Sequence, residues 1–546
     1  MPFEWNESRN STRAVVGSCA AVVAALLSLG CAREVTPGPA ESPDDRDRPR
    51  DDAAHDGTKT PPGVPPSPCT GVPGFVPVES PDALVGDGNA ASCTEAALQA
   101  ALDRGGSIAF ACGNAPHTIV VTRPLVLRKS AVIDGGGQIT LSGGGRAQVL
   151  VLEGQTDVTL LRFTIEDAKT DAQGAAIERK YGAGKARLAL LDMIFRRNVS
   201  TAPSSGGAGA GGGAIHNHES ELVIARCRFE QNEAANGGAI HNLLSTMTIY
   251  ESLFAANRAV GTSGGDPGAG GAIESDTTNA SQYTVAICGS RFEKNAATFQ
   301  GGGLFLFGAG RSRVEFSTIA NNTSTRGDGA AFGGGLLAGQ GEHTIFATAV
   351  IGNRARDQGG GIYVIDGGRV SVTSSTVAKN RTDVGGGGGI FLVSGSVALD
   401  GATIAENHAG GDGGGIFADR RASARATLFV RNTADNGGQK YGIFQNCGYA
   451  APAIDKPPAA LVDLGGNLQF ETTPGSTFHN PDCTDAIRTA DPKLAPLGDN
   501  GGPTWTMALG EGSPAIDLGP PGACPPADQR GRPRTGRCDV GAYEAP

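Results

Sequence analysis

Three side chains able to move protons or ligate a cation recur at one place in successive stretches of this sequence. His216, His241 and Glu274 each follow the same four residues, Gly-Gly-Ala-Ile. If those stretches stack, the three form a file of imidazole, imidazole and carboxylate, which suits general acid–base work or metal binding. The bland alternative is an outward ring stack, because later stretches carry Phe305, Leu337, Tyr363, Phe391, Phe417 and Phe444 at this place. A second charged group, Asp517, Asp528, Arg530, Arg534, Asp539 and Glu544, crowds the C-terminal end. It reads either as a catalytic cluster or as ion pairs fixing an irregular cap. Arg326-Gly327-Asp328 is an integrin-like tripeptide that serves equally well as a Gly-rich turn. No Cys-x-x-Cys or paired Cys/His spacing suggests zinc, so no metal ligands are assigned.

The file depends on what stacks the stretches. From Leu188 onward an aliphatic pair two apart is followed by a small residue, then Phe, Ile or Val, then Asn. One copy reads Leu222-x-Ile224-x-x-Cys227-x-Phe229-x-x-Asn232; the next reads Met247-x-Ile249-x-x-Ser252-x-Phe254-x-x-Asn257. The closing residues are Asn198, Asn232, Asn257, Asn295, Asn322, Asn353, Asn380, Asn407 and Asn432, and the steps between them run from 25 to 38 residues. A minimum period that tolerates insertions is the mark of a solenoid. Period-two spacing makes two strands, the broken parity between them marks a bend, and a third strand follows Gly-Gly. Each coil therefore has three short strands. Equivalent residues of adjacent coils lie about 4.8 Å apart. Phe, Ile and Val form one internal column, the small residues a second, and the Asn amides a ladder, with Asn tolerating the left-handed bend. Three insertions, Val199–Ala210, Arg258–Ala269 and Thr323–Phe332, fall at one corner and are expected to project as loops.

At these residues the sequence resembles the Phe-x-x-Asn and Gly-Gly-Ala-Ile repeats of the polymorphic outer-membrane protein family. The fold this resemblance implies is all-β: a single-stranded right-handed parallel β-helix of the pectin lyase type. That family's membrane β-barrel is missing from the chain's end, Asp539-Val540-Gly541-Ala542-Tyr543-Glu544-Ala545-Pro546. Asp491-Pro492, Asn500-Gly501-Gly502-Pro503-Thr504, Gly512-Ser513-Pro514-Ala515-Ile516-Asp517 and the final Asp539–Glu544 run resemble the choice-of-anchor Q module of secreted bacterial β-helix proteins. Pectinolytic β-helix enzymes offer a third comparison, yet their Gly-His-Gly and Asp-His pairs are absent, and Asp-Asp occurs only at Asp44-Asp45 and Asp51-Asp52.

A solenoid needs its ends covered. Ser92-Cys93-Thr94-Glu95 reads as a capping box opening a helix from Thr94 to Asp103, with Leu98 and Leu102 on the covering face. The expected domains are a signal peptide with a lipobox-like end at 1–31, a Pro/Asp/Arg tether at 32–68, an N-terminal cap and first coil at 69–130, β-helix at 131–446 and an irregular C-terminal cap at 447–546. Cys31 ends the apolar run and resembles the lipidated Cys of bacterial lipoproteins. Of 11 Cys, three pairs of near neighbours outside the repeats are disulfide candidates: Cys93 with Cys112, Cys447 with Cys483, and Cys524 with Cys538. Cys227 and Cys288 are expected to be free thiols.

Composition narrows the function. Gly (84) and Pro (32) fill about a fifth of 546 residues, which excludes a mostly helical fold, and a net charge of −10 disfavours nucleic acid. The reading is an exported, cell-surface or outer-membrane lipoprotein, monomeric, structural or adhesin-like, that binds an extracellular glycan or another surface protein without a cofactor. The alternative is a β-helix polysaccharide lyase or glycoside hydrolase, for which calcium would be the cofactor to expect.

Overall fold

Two neighbouring coils show how the sequence closes on itself. Strand Glu221–Ala225 ends at Arg226, whose φ of 52° turns the chain; strand Arg228–Glu230 then ends at Gln231, φ 56°. A two-residue strand, Glu233–Ala234, leads to the corner at Gly237, φ 52°, and to strand Ile240–Leu243. Leu244, φ 44°, starts the next coil at Thr246–Tyr250. The rungs between these coils are parallel and in register: Leu222 pairs with Met247, Phe229 with Phe254, and Ile240 with Ile273. The rungs add up to sheets of 26, 11 and 12 strands, and the result is a right-handed parallel β-helix. This computed structural model describes residues 68–546, apart from 75, 181, 183, 204–209, 263–266, 279, 309, 328, 419–420, 436–442, 450–459 and 472–481. The expected signal peptide, Cys31, the tether up to 67 and Asp328 of the Arg-Gly-Asp tripeptide lie outside the described residues.

Inside, identical side chains stack. Phe195, Phe229, Phe254 and Phe292 lie fully buried with ring centroids 4.6–4.8 Å apart and planes nearly parallel. Each buried ring contributes about 2–3 kcal/mol of hydrophobic stabilisation. The Asn residues form a continuous ladder in which each Nδ2 donates to the next Oδ1 and to a backbone carbonyl. Asn353 Nδ2, for example, donates to Asn380 Oδ1 at 3.0 Å and Ile319 O at 2.9 Å. Each Oδ1 also accepts the backbone N–H of the Asn before it, and the ladder continues past Asn432 to Asn446. The small residues form a second ladder: the N–H groups of Cys227, Ser252, Ser290 and Ser317 donate to the side chain one coil on.

The left-handed residue is not the Asn, as expected, but the one before it: Arg197, Gln231, Ala256, Lys294, Asn321, Gly352, Lys379, Glu406 and Arg431 all have φ of 51–63°. Each left-handed turn costs a non-glycine residue about 1–2 kcal/mol, offset by the Asn side chain it swings inward. At the N-terminus the helix runs Glu95–Arg104, capped by Thr94 Oγ1 accepting from Ala97 N, with Leu98 and Leu102 buried. No capping box forms. Glu95 instead accepts from Thr122 N, Thr122 Oγ1 and Arg123 N, tying the helix to the first coil.

The disulfides are Cys93–Cys112, Cys447–Cys483, Cys524–Cys538 and Cys69–Cys288. The last corrects the expectation of a free Cys288. Cys288 lies in register with Tyr250 and Glu315, on the outward side of its strand, while Cys227 lies with the inward small residues and is free and buried. The bond fixes a strap whose described residues between 69 and 78 lie on the outside of the coils: Val72, with Tyr250, packs on Leu161, Leu191 and Ala225, Pro73 O accepts from Arg226, and Val78 N donates to Asp134. The C-terminal region also does more than cap. It folds back along the flank, where Gln529 Oε1 accepts from Thr376 Oγ1, Ala542 N donates to Thr403 Oγ1, and Met507, Ala515 and Val540 pack on Ala378, Ala405 and Val430. Four disulfides mark an exported protein.

Candidate functional site

The Gly-Gly corners position the acid–base residues. At Gly212, Gly237 and Gly270 the backbone adopts φ of 78°, 52° and 67°, and a Cβ at any of them would sit about 2.1–2.2 Å from the carbonyl oxygen three residues on. The strand that follows then alternates: Ile215, Ile240 and Ile273 point inward, and His216, His241 and Glu274 outward, in direct register. His216 Nδ1 lies 3.2 Å from His241 Nδ1, and His241 Nε2 lies 3.2 Å from Glu274 Oε2. A hydrogen bond between the two Nδ1 atoms requires one imidazole to carry its proton there and the other to leave its Nδ1 bare, so the two tautomers are coupled.

The file has a fourth member that sequence reasoning missed. Glu178 pairs in register with His216, one coil before the recognised repeats, and accepts from Gln148 Nε2 at 3.2 Å. Its signal was present in Gly174-Ala175-Ala176-Ile177-Glu178, where Gly174 takes the corner with φ 63°. His218 and Asp276 share the outward side two residues on, Asp276 accepting from Thr278 N and Oγ1. Inward of Glu178's neighbour lies Arg179, fully buried, its guanidinium donating to Thr156 O and Oγ1; burial lowers it to about 10.

The outward file is closed over. His216, His241 and Glu274 are only 4%, 1% and 8% exposed. The residues that precede each Gly-Gly corner, where the described ends of the insertions return, stack in parallel beside this face: Gly211 bridges to Asn236, Ala269 to Gln300, and Phe332 to Gln300 and Gln358. A Cβ on Gly211 would stand 2.7 Å from the His241 ring. Further along, the same cover forms a second apolar layer of Phe305, Phe307, Phe332, Leu337, Tyr363 and Phe391. Phe391 stacks on Phe417 at 4.8 Å, but Phe444 is not the next ring: Ile416 and Phe417 pair with Cys447 and Gly448, and Phe444 pairs antiparallel with Thr433. Burial, then the imidazoles of His241 and His218, hold His216 well below the usual range; burial drives His241 down to about 3. Burial raises the Glu178 and Asp276 carboxyls. At neutral pH both imidazoles of the pair are therefore uncharged. Among the described residues no three His, Cys, Asp or Glu side chains are grouped to hold a metal ion.

The C-terminal charged residues come together as ion pairs. Arg530 and Asp528 meet at 2.6 Å with both side chains buried, Arg530 lies 3.7 Å over the Tyr543 ring, and Arg534 meets Glu544 at 2.8 Å. Asp539 accepts from Asp517 N and Ala545 N, so these charges hold the module's own backbone. A cavity of about 210 Å³ opens near the first coils, walled by Val78, Phe110, Gln138, Asp134 and Arg162. Burial would raise the Asp134 carboxyl, but Arg162 and the N–H groups of Gly136 and Val78 outweigh it and hold it below the usual range.

No curated protein matches the sequence. Among solved structures, the chain is similar to the periplasmic alginate epimerase AlgG at 12% identity, covering 69% of this chain and 78% of that one with a TM-score of 0.37. It is similar at 12% identity to tailspike protein 3 of bacteriophage CBA120, over 75% and 59% with a TM-score of 0.36. A third, PfbA, a surface adhesin of Streptococcus pneumoniae, is also 12% identical, over 79% and 98% with a TM-score of 0.30. The family model that matches describes a right-handed beta helix region, over residues 271–454, in keeping with the solenoid that those residues build.

Proposed function

We propose that this chain is a cell-surface binding protein, structural or adhesin-like, that holds an extended extracellular glycan along its long sheet. The observation that carries the reading is a contrast between two outward files. The acid–base file is buried, whereas Thr248, Ala286, Arg313, Thr344, Ser371, Ala398 and Ser423 stack outward in register with none of them buried. These six steps give a narrow polar track about 29 Å long, edged by exposed Arg311, Glu342 and Arg369. Hydroxyls and a guanidinium at coil spacing suit a repeating chain of sugar hydroxyls.

The same reading takes Cys31 as the lipid anchor and the last residues as a choice-of-anchor Q module. The enzyme alternative has one observation in its favour, the in-register His216–His241–Glu274 file with its His216–His241 hydrogen bond, and needs the file to be uncovered. A glycan array on the purified protein, followed by reducing-end and unsaturated-product assays on each hit, separates the two. Binding without product supports the proposal, and product formation overturns it in favour of a lyase or hydrolase. Membrane association lost on Cys31→Ala tests the anchor.

A further inference from the structure

Among the described residues of the strap, the disulfide is the one covalent hold, beside the packing of Val72 and the hydrogen bonds of Pro73 and Val78. Its described ends, Cys69 at the rung of Cys288 and Val78 at that of Asp134, lie five rungs apart, about 24 Å at strand spacing. Of its described residues only Cys69, Val72, Pro73 and Val78 are even half-buried, and Val76 is 83% exposed. Among its described residues, Val72 packs, together with Tyr250, against Leu161, Leu191 and Ala225. Its far end, Val78, both bonds Asp134 and walls the 210 Å³ cavity. Cys69–Cys288 is also the one bridge with neither sulfur-bearing residue buried; Cys93, Cys112, Cys447, Cys483 and Cys538 are 0–6% exposed. Thiol–disulfide exchange follows access.

We propose that residues 69–78 form a redox-releasable strap: reduction of Cys69–Cys288 by a dithiol frees the segment, bares the Leu161–Tyr250 strip and opens the cavity at Asp134. The dithiol's thiolate attacks one sulfur, forming a mixed disulfide and releasing the other cysteine as a thiolate that takes up a proton. The second thiol of the reagent then displaces the remaining cysteine. Two electrons pass from reagent to protein, leaving two protein thiols and one cyclic disulfide of the reagent.

The test is a dithiothreitol series at neutral pH on the purified protein, with the released cysteines alkylated and counted by mass spectrometry. Hydrogen exchange is followed in parallel, and Cys288→Ser serves as a permanently released form. Cys69 and Cys288 take label at least about tenfold faster than the other three pairs. The Val78 amide and the strip then lose about tenfold or more of their protection, in the reduced protein and in Cys288→Ser alike, while the Asn-ladder amides keep theirs. Another pair reducing first would overturn the proposal, as would a strap that stays protected once reduced. Loss of protection along the whole ladder would overturn it too, by making the bond a staple of the entire rod.

Discussion

Replacing Asn353 by Leu tests the ladder where its hydrogen bonds are fully enumerated. Asn353 Oδ1 accepts from Asn322 N and Nδ2, each at 2.9 Å, and its Nδ2 donates to Ile319 O and Asn380 Oδ1. Leucine removes all four bonds while leaving little cavity. Asn380 Oδ1 keeps the backbone N–H of residue 353, but Asn322 is left with its main-chain N–H and one amide hydrogen unpaired in a fully buried place. Two orphaned donors at about 1–3 kcal/mol each give a loss of about 2–6 kcal/mol. Because a solenoid's coils interact mainly with their neighbours, the loss is local. Hydrogen exchange should accelerate in the coils of Asn322, Asn353 and Asn380 and leave that of Asn198 unchanged, while urea unfolding followed by circular dichroism gives the overall cost. A variant within about 0.5 kcal/mol of the parent, with unaltered exchange at Asn322, would refute the idea that the ladder stabilises the stack.

Three further outcomes are expected. The free imidazole titrates near 6.5 and His241 only near 3 in the fold, so the folded state resists the proton and stability falls as pH drops from 6.5 towards 3. Between pH 6.5 and 4.5 the loss from His241 is about 2–3 kcal/mol, and His216→Phe/His241→Phe should abolish that slope in melting curves; the opposing carboxyls Glu178 and Asp276 are common to both proteins and cancel in the difference. Burial pushes the Cys227 thiol up to about 12, so a maleimide at pH 8 should leave it unlabelled in the native protein and label it fully in urea, as read by mass spectrometry. Arg530→Leu strips Asp528 of its buried partner and should cost about 3–5 kcal/mol, seen as a lower unfolding midpoint together with faster exchange at Gln529 and Ala542.

The repeat was legible because a buried column must be refilled on every coil: a rung without its Phe, Ile or Val, or without its Asn, would leave a void or an orphaned amide. The residue before each Asn was not legible. Arg, Gln, Ala, Lys, Asn, Gly and Glu all occupy that place, since the ladder imposes the left-handed turn on whatever stands there. Glu178 escaped because its coil lacks the Phe-x-x-Asn close, although its corner is built the same way. The fate of Cys288 turned on parity: it falls two residues before Ser290, in line with outward Tyr250 rather than inward Cys227, and its partner stands 219 residues away. The repeat says which residues face out from the coil but not what lies over them, so the closing of His216, His241 and Glu274 under Gly211 and its neighbours needed the folded chain. The small residues there, Gly211 and Ala269, are the trace of that close approach.

The strap and the folded-back C-terminal region together decide where a load enters this rod. Cys69 is bonded about halfway along the stack of coils, and the last residues lie against the flank at Thr376 and Thr403, only about four rungs, or roughly 19 Å, further on. A pull at residue 68 is borne by the middle of the stack, and the first coils hang beyond the point of attachment under no tension. Cutting the Cys69–Cys288 bond would move the point where such a pull is borne from the middle of the stack towards the first coil.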